Sequence, residues 1–208
     1  MMPIVKVKIC GITNLRDAQA AVEMGAEMLG FNFYKKSPRY IEPDKAAGII
    51  NKIPGFVDVV GVFVNSSFDE IHDITEKCGL NWVQLHGDET NEFCDRVGQL
   101  NVRTIKAIRV KDANDINKVK DYFTYAMLLD AFSPKKYGGT GAAFDWNIIG
   151  NIQKRIFLAG GITCDNVVEA VNVGVYGIDI CSGIESEPGK KDHKKMHKLF
   201  DNIKNLRG

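Results

Sequence analysis

Eight short β-rich runs, helix-period segments between every pair of them, and a length of only 208 residues predict an α/β fold: a single (βα)8 TIM barrel spanning 1–208 as one catalytic domain. The runs are VKVKIC (5–10), MLGFNF (28–33), VDVVGVF (57–63), WVQLH (82–86), RTIKAI (103–108), YAMLLD (125–130), IFLAG (156–160) and YGIDIC (176–181). Their Val, Ile and Leu content and shortness suit parallel strands covered by helices on the outside. Eight strand-helix units in so short a chain leave no room for a second domain. A closed barrel also spares them the exposed edges of an open sheet.

The connecting segments carry helix-start and helix-stop chemistry. Asn14 precedes LRDAQAAVEMG, Ser67 precedes FDEIHDITEKCG and Asp165 precedes NVVEAVNVG, so each is expected to cap a helix N-terminus, and several of these segments close on glycine. The least regular stretch is AFSPKKYGGTGAAFDW (131–146) after the sixth strand. Pro134-Lys135-Lys136 read as a solvated tip, and the following GGTG reads as a mobile lid or ligand-facing loop, because glycine permits close approach and hinge motion.

Composition narrows the function classes. With 45% hydrophobic and 25% charged residues the chain is an ordinary globular one, and 27 basic against 26 acidic residues leave a formal charge of +1. That balance argues against nucleic acid as a partner, whose phosphates call for a broad basic excess, but allows a single phosphorylated metabolite held by a few local donors. Five cysteines, at 10, 78, 94, 164 and 181, form no CxxC pair, and an odd count fits a reducing compartment, so the cytoplasm is expected. No run approaches the roughly 18 apolar residues of a membrane span, and the N-terminus lacks a secretory pattern. The outer helical faces do not distinguish a monomer from a homodimer.

In a parallel barrel the C-terminal strand ends converge on one rim. There the sequence places Cys10-Gly11, Ser37-Pro38-Arg39, His86-Gly87, Asp130, Gly160-Gly161 and Ser182-Gly183. The paired glycine-rich turns after strands seven and eight suit a phosphate on bare backbone N–H groups, with a tight turn as the plainer alternative. Arg39 offers a planar fork for a carboxylate or phosphate, or is a solvated loop charge. Cys10 and Asp130 end apolar strands and are candidates for proton transfer. Burial favours the neutral form of each, which suits an acid at Asp130 and works against a thiolate at Cys10 unless dipoles or cations compensate. Packing for the thiol and turn-capping for the carboxylate are the alternatives. Cys78, Cys94, Cys164 and Cys181 read as packing thiols. His193 and His197 have metal-compatible spacing but no carboxylate motif beside them, so a solvated last helix is expected and no metal site.

Read in order, KICGIT, GFNFYKKSPRYI, GVFVN, VQLHGDE, LLDAFSPKKYGGTGAAFDW, LAGGITCDNV and GIDICSGIESEPGKKD resemble the phosphoribosylanthranilate isomerases over essentially the whole chain. The resemblance implies an Amadori rearrangement of N-(5-phosphoribosyl)anthranilate in tryptophan biosynthesis, without metal or organic cofactor. It implies Cys10 as general base and Asp130 as general acid. It implies Arg39 at the anthranilate carboxylate, phosphate on Gly160, Gly161, Ser182 and Gly183, and His86 and Asp179 lining the pocket. Two positions depart from the family's usual residues: Cys164, where Pro is commoner, and Cys181, where Ser or Asn is commoner. Two rivals are other phosphosugar barrels, the aminoimidazole-carboxamide ribotide isomerase and indoleglycerol-phosphate synthase, for which an Asp pair or a Lys/Glu set would be expected. A barrel that only binds a phosphorylated ligand is a third.

Overall fold

The computed structural model describes residues 5–131, 144–150 and 152–207. Eight strands close a barrel in chain order with every neighbouring pair parallel, β8 returning to β1: β1 (Lys6–Cys10), β2 (Met28–Asn32), β3 (Asp58–Phe63), β4 (Trp82–Leu85), β5 (Arg103–Val110), β6 (Ala126–Ala131), β7 (Ile156–Leu158) and β8 (Gly177–Ile180). The expected strands are all present within a residue or two. β5 runs on to Val110 and β7 stops at Leu158, because Gly160 and Gly161 take left-handed φ values of 82° and 69° that end the pleat.

Seven α-helices pack outside the barrel among the described residues: α1 (Leu15–Met24), α2 (Pro43–Ile50), α3 (Phe68–Cys78), α4 (Asn91–Gly98), α5 (Ala113–Asn117), α6 (Val167–Asn172) and α7 (His193–Arg207). Asn14 caps α1 by accepting from the Asp17 N–H, and Ser67 caps α3 by accepting from Glu70 N–H. Asp165 does not cap α6, as the sequence led one to expect. Asn166 occupies that position, its side chain turned back to accept from Thr163 N–H and donate to Gly161 O, while Asp165 pairs with Lys198 at 2.8 Å. Among the described residues one connection shows no α-helix. Between β6 and β7 the described residues hold only a 3-10 turn, Trp146–Ile149. The Pro134-Lys135-Lys136 tip and the GGTG lid lie outside the described residues.

Side chains alternate along each strand, so the barrel wall separates two apolar layers. Val7, Ile9, Leu29, Phe31 and Val83 point outward and pack with helix residues such as Ala18, Ile71 and Leu199. Met28, Val60, Trp82, Ile105, Leu128 and Phe157 point inward and fill the N-terminal half of the barrel, where Trp82 and Phe157 meet edge to face at 6.3 Å. The barrel floor is therefore a packed plug, and any cavity must sit above it. α7 covers its side of the barrel with Met196, Leu199, Phe200 and Ile203, an i, i+3, i+4, i+7 stripe. No helix among the described residues is long and apolar enough to cross a membrane.

Candidate active site

Above the plug, at the C-terminal strand ends, lies a cavity of about 320 Å³. Cys10, Arg39, His86, Asp130, Gly160, Gly161, Asp179 and Ser182 all line it. Gly183 does not: a Cβ there would collide with the Ile162 carbonyl, so the glycine allows the turns after β7 and β8 to touch.

Cys10 sits on the inward face of β1, two residues beyond Lys8. Lys8 is fully buried and donates to Asp179 Oδ2 at 3.0 Å, across the β1–β8 pairing that sets those two residues opposite each other. A Cβ at Gly30 would stand 2.9 Å from Cys10 Sγ and 3.2 Å from Lys8 Nζ, so this glycine gives both groups their space. Beside Cys10 stands Cys181, whose Sγ is 3.8 Å from Lys191 Nζ; that lysine donates to Glu185 Oε1 at 3.0 Å. The Cys181 thiol, hydrogen-bonded to Cys10, and the Lys8 and Lys191 cations hold the Cys10 thiol well below its ordinary range despite burial. Cys181 is pushed up by the same hydrogen bond and by burial. The compensation that the sequence left open for Cys10 is present: neighbouring donors and cations outweigh desolvation. Burial acts to lower Lys8, but Asp179 and Cys10 more than reverse it. Burial raises Asp179 to about 7, with Lys8 opposing.

Asp130, the penultimate residue of β6, faces the same cavity, 4% exposed, with His86 Nε2 3.3 Å from its Oδ2 but not aligned as a hydrogen bond. Gln84 Nε2 lies 2.9 Å from His86 Nδ1. With the amide donating there, the imidazole N–H is on Nε2, facing Asp130. A Cβ at Gly160 would come within 2.8 Å of Asp130 Oδ1, so the turn after β7 packs directly on this carboxylate.

Arg39 is buried and turned partly away from solvent-borne ligands: Nε donates to Glu185 Oε1 at 2.9 Å and Nη2 to Oε2 at 2.7 Å. Glu185 is held below the usual carboxylate range because Arg39 and Lys191 offset its burial. Sequence reasoning missed Lys8, Gln84, Cys181, Glu185 and Lys191. Lys8 had a readable signal, a lysine flanked by Val7 and Ile9 in the middle of a short strand. Glu185 and Lys191 lie within the quoted SGIESEPGKKD segment, yet nothing local shows that they fold back on Arg39. His193 also departs from a purely solvated helix, since its Nε2 pairs with Asp17 Oδ1 at 2.8 Å. His197 pairs with Asp201 instead, so the two histidines do not converge.

The sequence model of the family described as N-(5'phosphoribosyl)anthranilate (PRA) isomerase matches residues 7–202. This chain belongs to that family. An N-(5'-phosphoribosyl)anthranilate isomerase of Geotalea uraniireducens is 49% identical over 204 residues, covering 97% of this chain and 99% of that one. Among solved structures, the phosphoribosyl anthranilate isomerase of Thermotoga maritima superposes with a TM-score of 0.91 at 40% identity, covering 98% of this chain and 100% of that one. Another phosphoribosyl anthranilate isomerase, 38% identical with a TM-score of 0.85 over 98% of this chain and 100% of its own, was solved with reduced 1-(o-carboxyphenylamino)-1-deoxyribulose 5-phosphate bound. Family membership makes this barrel an isomerase of tryptophan biosynthesis.

Proposed function

We propose that the rim cavity converts N-(5-phosphoribosyl)anthranilate into 1-(2-carboxyphenylamino)-1-deoxyribulose 5-phosphate, with Asp130 as general acid and Cys10 as general base. The observation that carries the assignment is a buried thiol poised toward its thiolate and a buried carboxyl group on one cavity, from non-adjacent strands β1 and β6. Asp130 protonates the furanose ring oxygen while the anthranilate nitrogen opens the ring to an iminium. The Cys10 thiolate then removes the C2 proton, and the enolamine tautomerises to the ketose. The iminium is the electron sink, so the reaction calls for no cofactor. General acid and base contribute roughly 10²- to 10⁴-fold each.

The phosphate rests on the turns after β7 and β8, at Gly160, Gly161 and Ser182, with Gly183 letting those turns meet. Arg39 receives the anthranilate carboxylate. Glu185 already holds Nε and Nη2, so that contact falls to Nη1 and Glu185 fixes the plane of the fork. His86 lines the pocket beside Asp130 with its Nε2 open to the ligand, and Asp179 with Lys8 supports Cys10. The structure solved with a reduced phosphorylated ligand supports a phosphosugar in this pocket. The whole chain, 1–208, is the proposed catalytic unit, working in the cytoplasm as a monomer or homodimer; a T. maritima relative is a dimer from which monomers were generated.

The test is steady-state turnover of freshly made substrate, followed by loss of its fluorescence. Wild type should turn over, and Cys10→Ser and Asp130→Asn should each lose about 10²-fold or more with folding intact. An unaffected variant would remove its residue from the mechanism, and an inactive wild type would sink the whole reading.

A further inference from the structure

Cys181 carries a thiol that this acid/base chemistry leaves unused. The β1–β8 ladder pairs Lys8 with Asp179 and Ile9 with Ile180, its last pair, which brings Cys10 at the end of β1 beside Cys181, the first residue after β8. Neighbouring parallel strands lie about 4.8 Å apart, inside the roughly 4.4–6.8 Å Cα separation across which a disulfide closes without moving the backbone. Both thiols line the cavity, so a small solute entering it reaches them. The remaining cysteines lack such a pairing: Cys78 donates to Pro43 O, Cys164 donates to Lys195 O, and Cys94 is enclosed in the outer core.

We propose that Cys10 and Cys181 form a reversible disulfide, a modification site through which hydrogen peroxide switches the enzyme off. The loss of activity rests on the base role proposed for Cys10; the disulfide itself does not. In the first step the Cys10 thiolate attacks one peroxide oxygen. The S–O bond forms, the O–O bond breaks, and hydroxide leaves and is protonated to water. In the second, Cys181 sulfur attacks Cys10 sulfur. The S–S bond forms, the S–O bond breaks, and the departing oxygen takes the Cys181 proton as a second water. Two thiols lose two electrons and one peroxide is reduced.

The surroundings favour the second step once the first has occurred. While Cys10 is a thiolate, its hydrogen bond and its charge hold the proton on Cys181. A neutral sulfenic acid at Cys10 removes that charge and leaves Lys191, 3.8 Å away, to promote the Cys181 thiolate. The resolving thiol is therefore activated by the oxidation it must resolve.

The experiment exposes the full-length reduced protein to excess hydrogen peroxide, then follows isomerase activity and maps a non-reduced digest by mass spectrometry. The expected result is a Cys10–Cys181 linked peptide, two hydrogens lighter than the sum of its parts, whose yield tracks an activity loss of at least about tenfold. Dithiothreitol should restore the wild type. Cys181→Ser, lacking the resolving thiol, should give no linked peptide and should stay inactive after reduction because Cys10 proceeds to the sulfinic acid. An active wild type whose Cys10 goes to sulfinic acid with no linkage, or a Cys181→Ser variant that recovers as fully as wild type, overturns the inference. A linkage formed in a protein that never turned over substrate upholds the disulfide and overturns the functional reading instead.

Discussion

Lys8 and Lys106 are both buried, both strand residues and both paired to a buried carboxylate, yet they stand on opposite sides of the barrel wall and their surroundings differ. Lys106 on β5 points outward, where its ammonium donates to Gly87 O at 2.7 Å and Glu89 Oε2 at 2.8 Å. Glu89 in turn accepts from the Gly87 and Asn65 N–H groups. That cluster ties the turn after β4 to β5 with its buried donors and acceptors engaged. Lys8 points inward to Asp179, whose Oδ1 has no partner among the described residues; Gln84 Oε1 and His86 Nε2, on the same cavity, are likewise unpartnered. A satisfied buried network rigidifies a fold, whereas polar atoms left open on a cavity are those that a ligand can engage. Of two similar ion pairs, the outer one thus belongs to stability and the inner one to chemistry.

The largest expected effect comes from breaking the outer pair. Lys106→Met strands Glu89 in the outer core and should cost about 3–5 kcal/mol in urea unfolding, with turnover per folded molecule nearly unchanged. Equal losses of stability and of turnover would erase the distinction between the two clusters.

The inner pair should instead show itself through pH. Asp179 titrates at about 7 in the folded protein against an ordinary 3.8, so between those values the folded state holds the extra proton. The stability this group contributes is full below its unfolded pKa and falls as pH rises through about 7, by on the order of a few kcal/mol in all. Urea unfolding from pH 4 to 8 should show this decline in wild type, and Asp179→Asn should flatten it; identical slopes would mean that Asp179 is not raised.

Lys8→Met should produce the smallest free-energy change and the most diagnostic one. Its stability loss should fall short of that for Lys106→Met, since Asp179 can become neutral by taking a proton. Turnover should drop about 10- to 100-fold, and the acid limb of the kcat/KM profile should move up as the thiolate loses its nearest cation. An unshifted limb would detach Lys8 from Cys10.

The repeating pattern of strand and helix was legible because period and capping are local: Asn14 and Ser67 cap the helices their spacing announced. Asp165 misled because Ser, Thr, Asp and Asn are interchangeable as caps on paper, and only the packed turn chose Asn166. The rim was legible in part for a different reason. Parallel strands in a closed barrel end on one face, so knowing the strands meant knowing which residues gather there, and Cys10, Asp130, Arg39 and both turn glycines duly line the cavity. Cys181 was passed over because a thiol at a strand end has no local mark of its partner.

The chain's own order of residues determined the eight strands, the rim on which chemistry could occur and the residue types available there, since each depends on neighbours a few positions away. Tertiary structure decided which charges touch. Lys8 and Asp179, 171 residues apart, meet only because β8 closes on β1, and Arg39 meets Glu185 only because the segment after β8 folds over the rim. The same closure brings Cys181, Lys8 and Lys191 around Cys10 and holds its thiol below the ordinary range, where burial alone would have raised it.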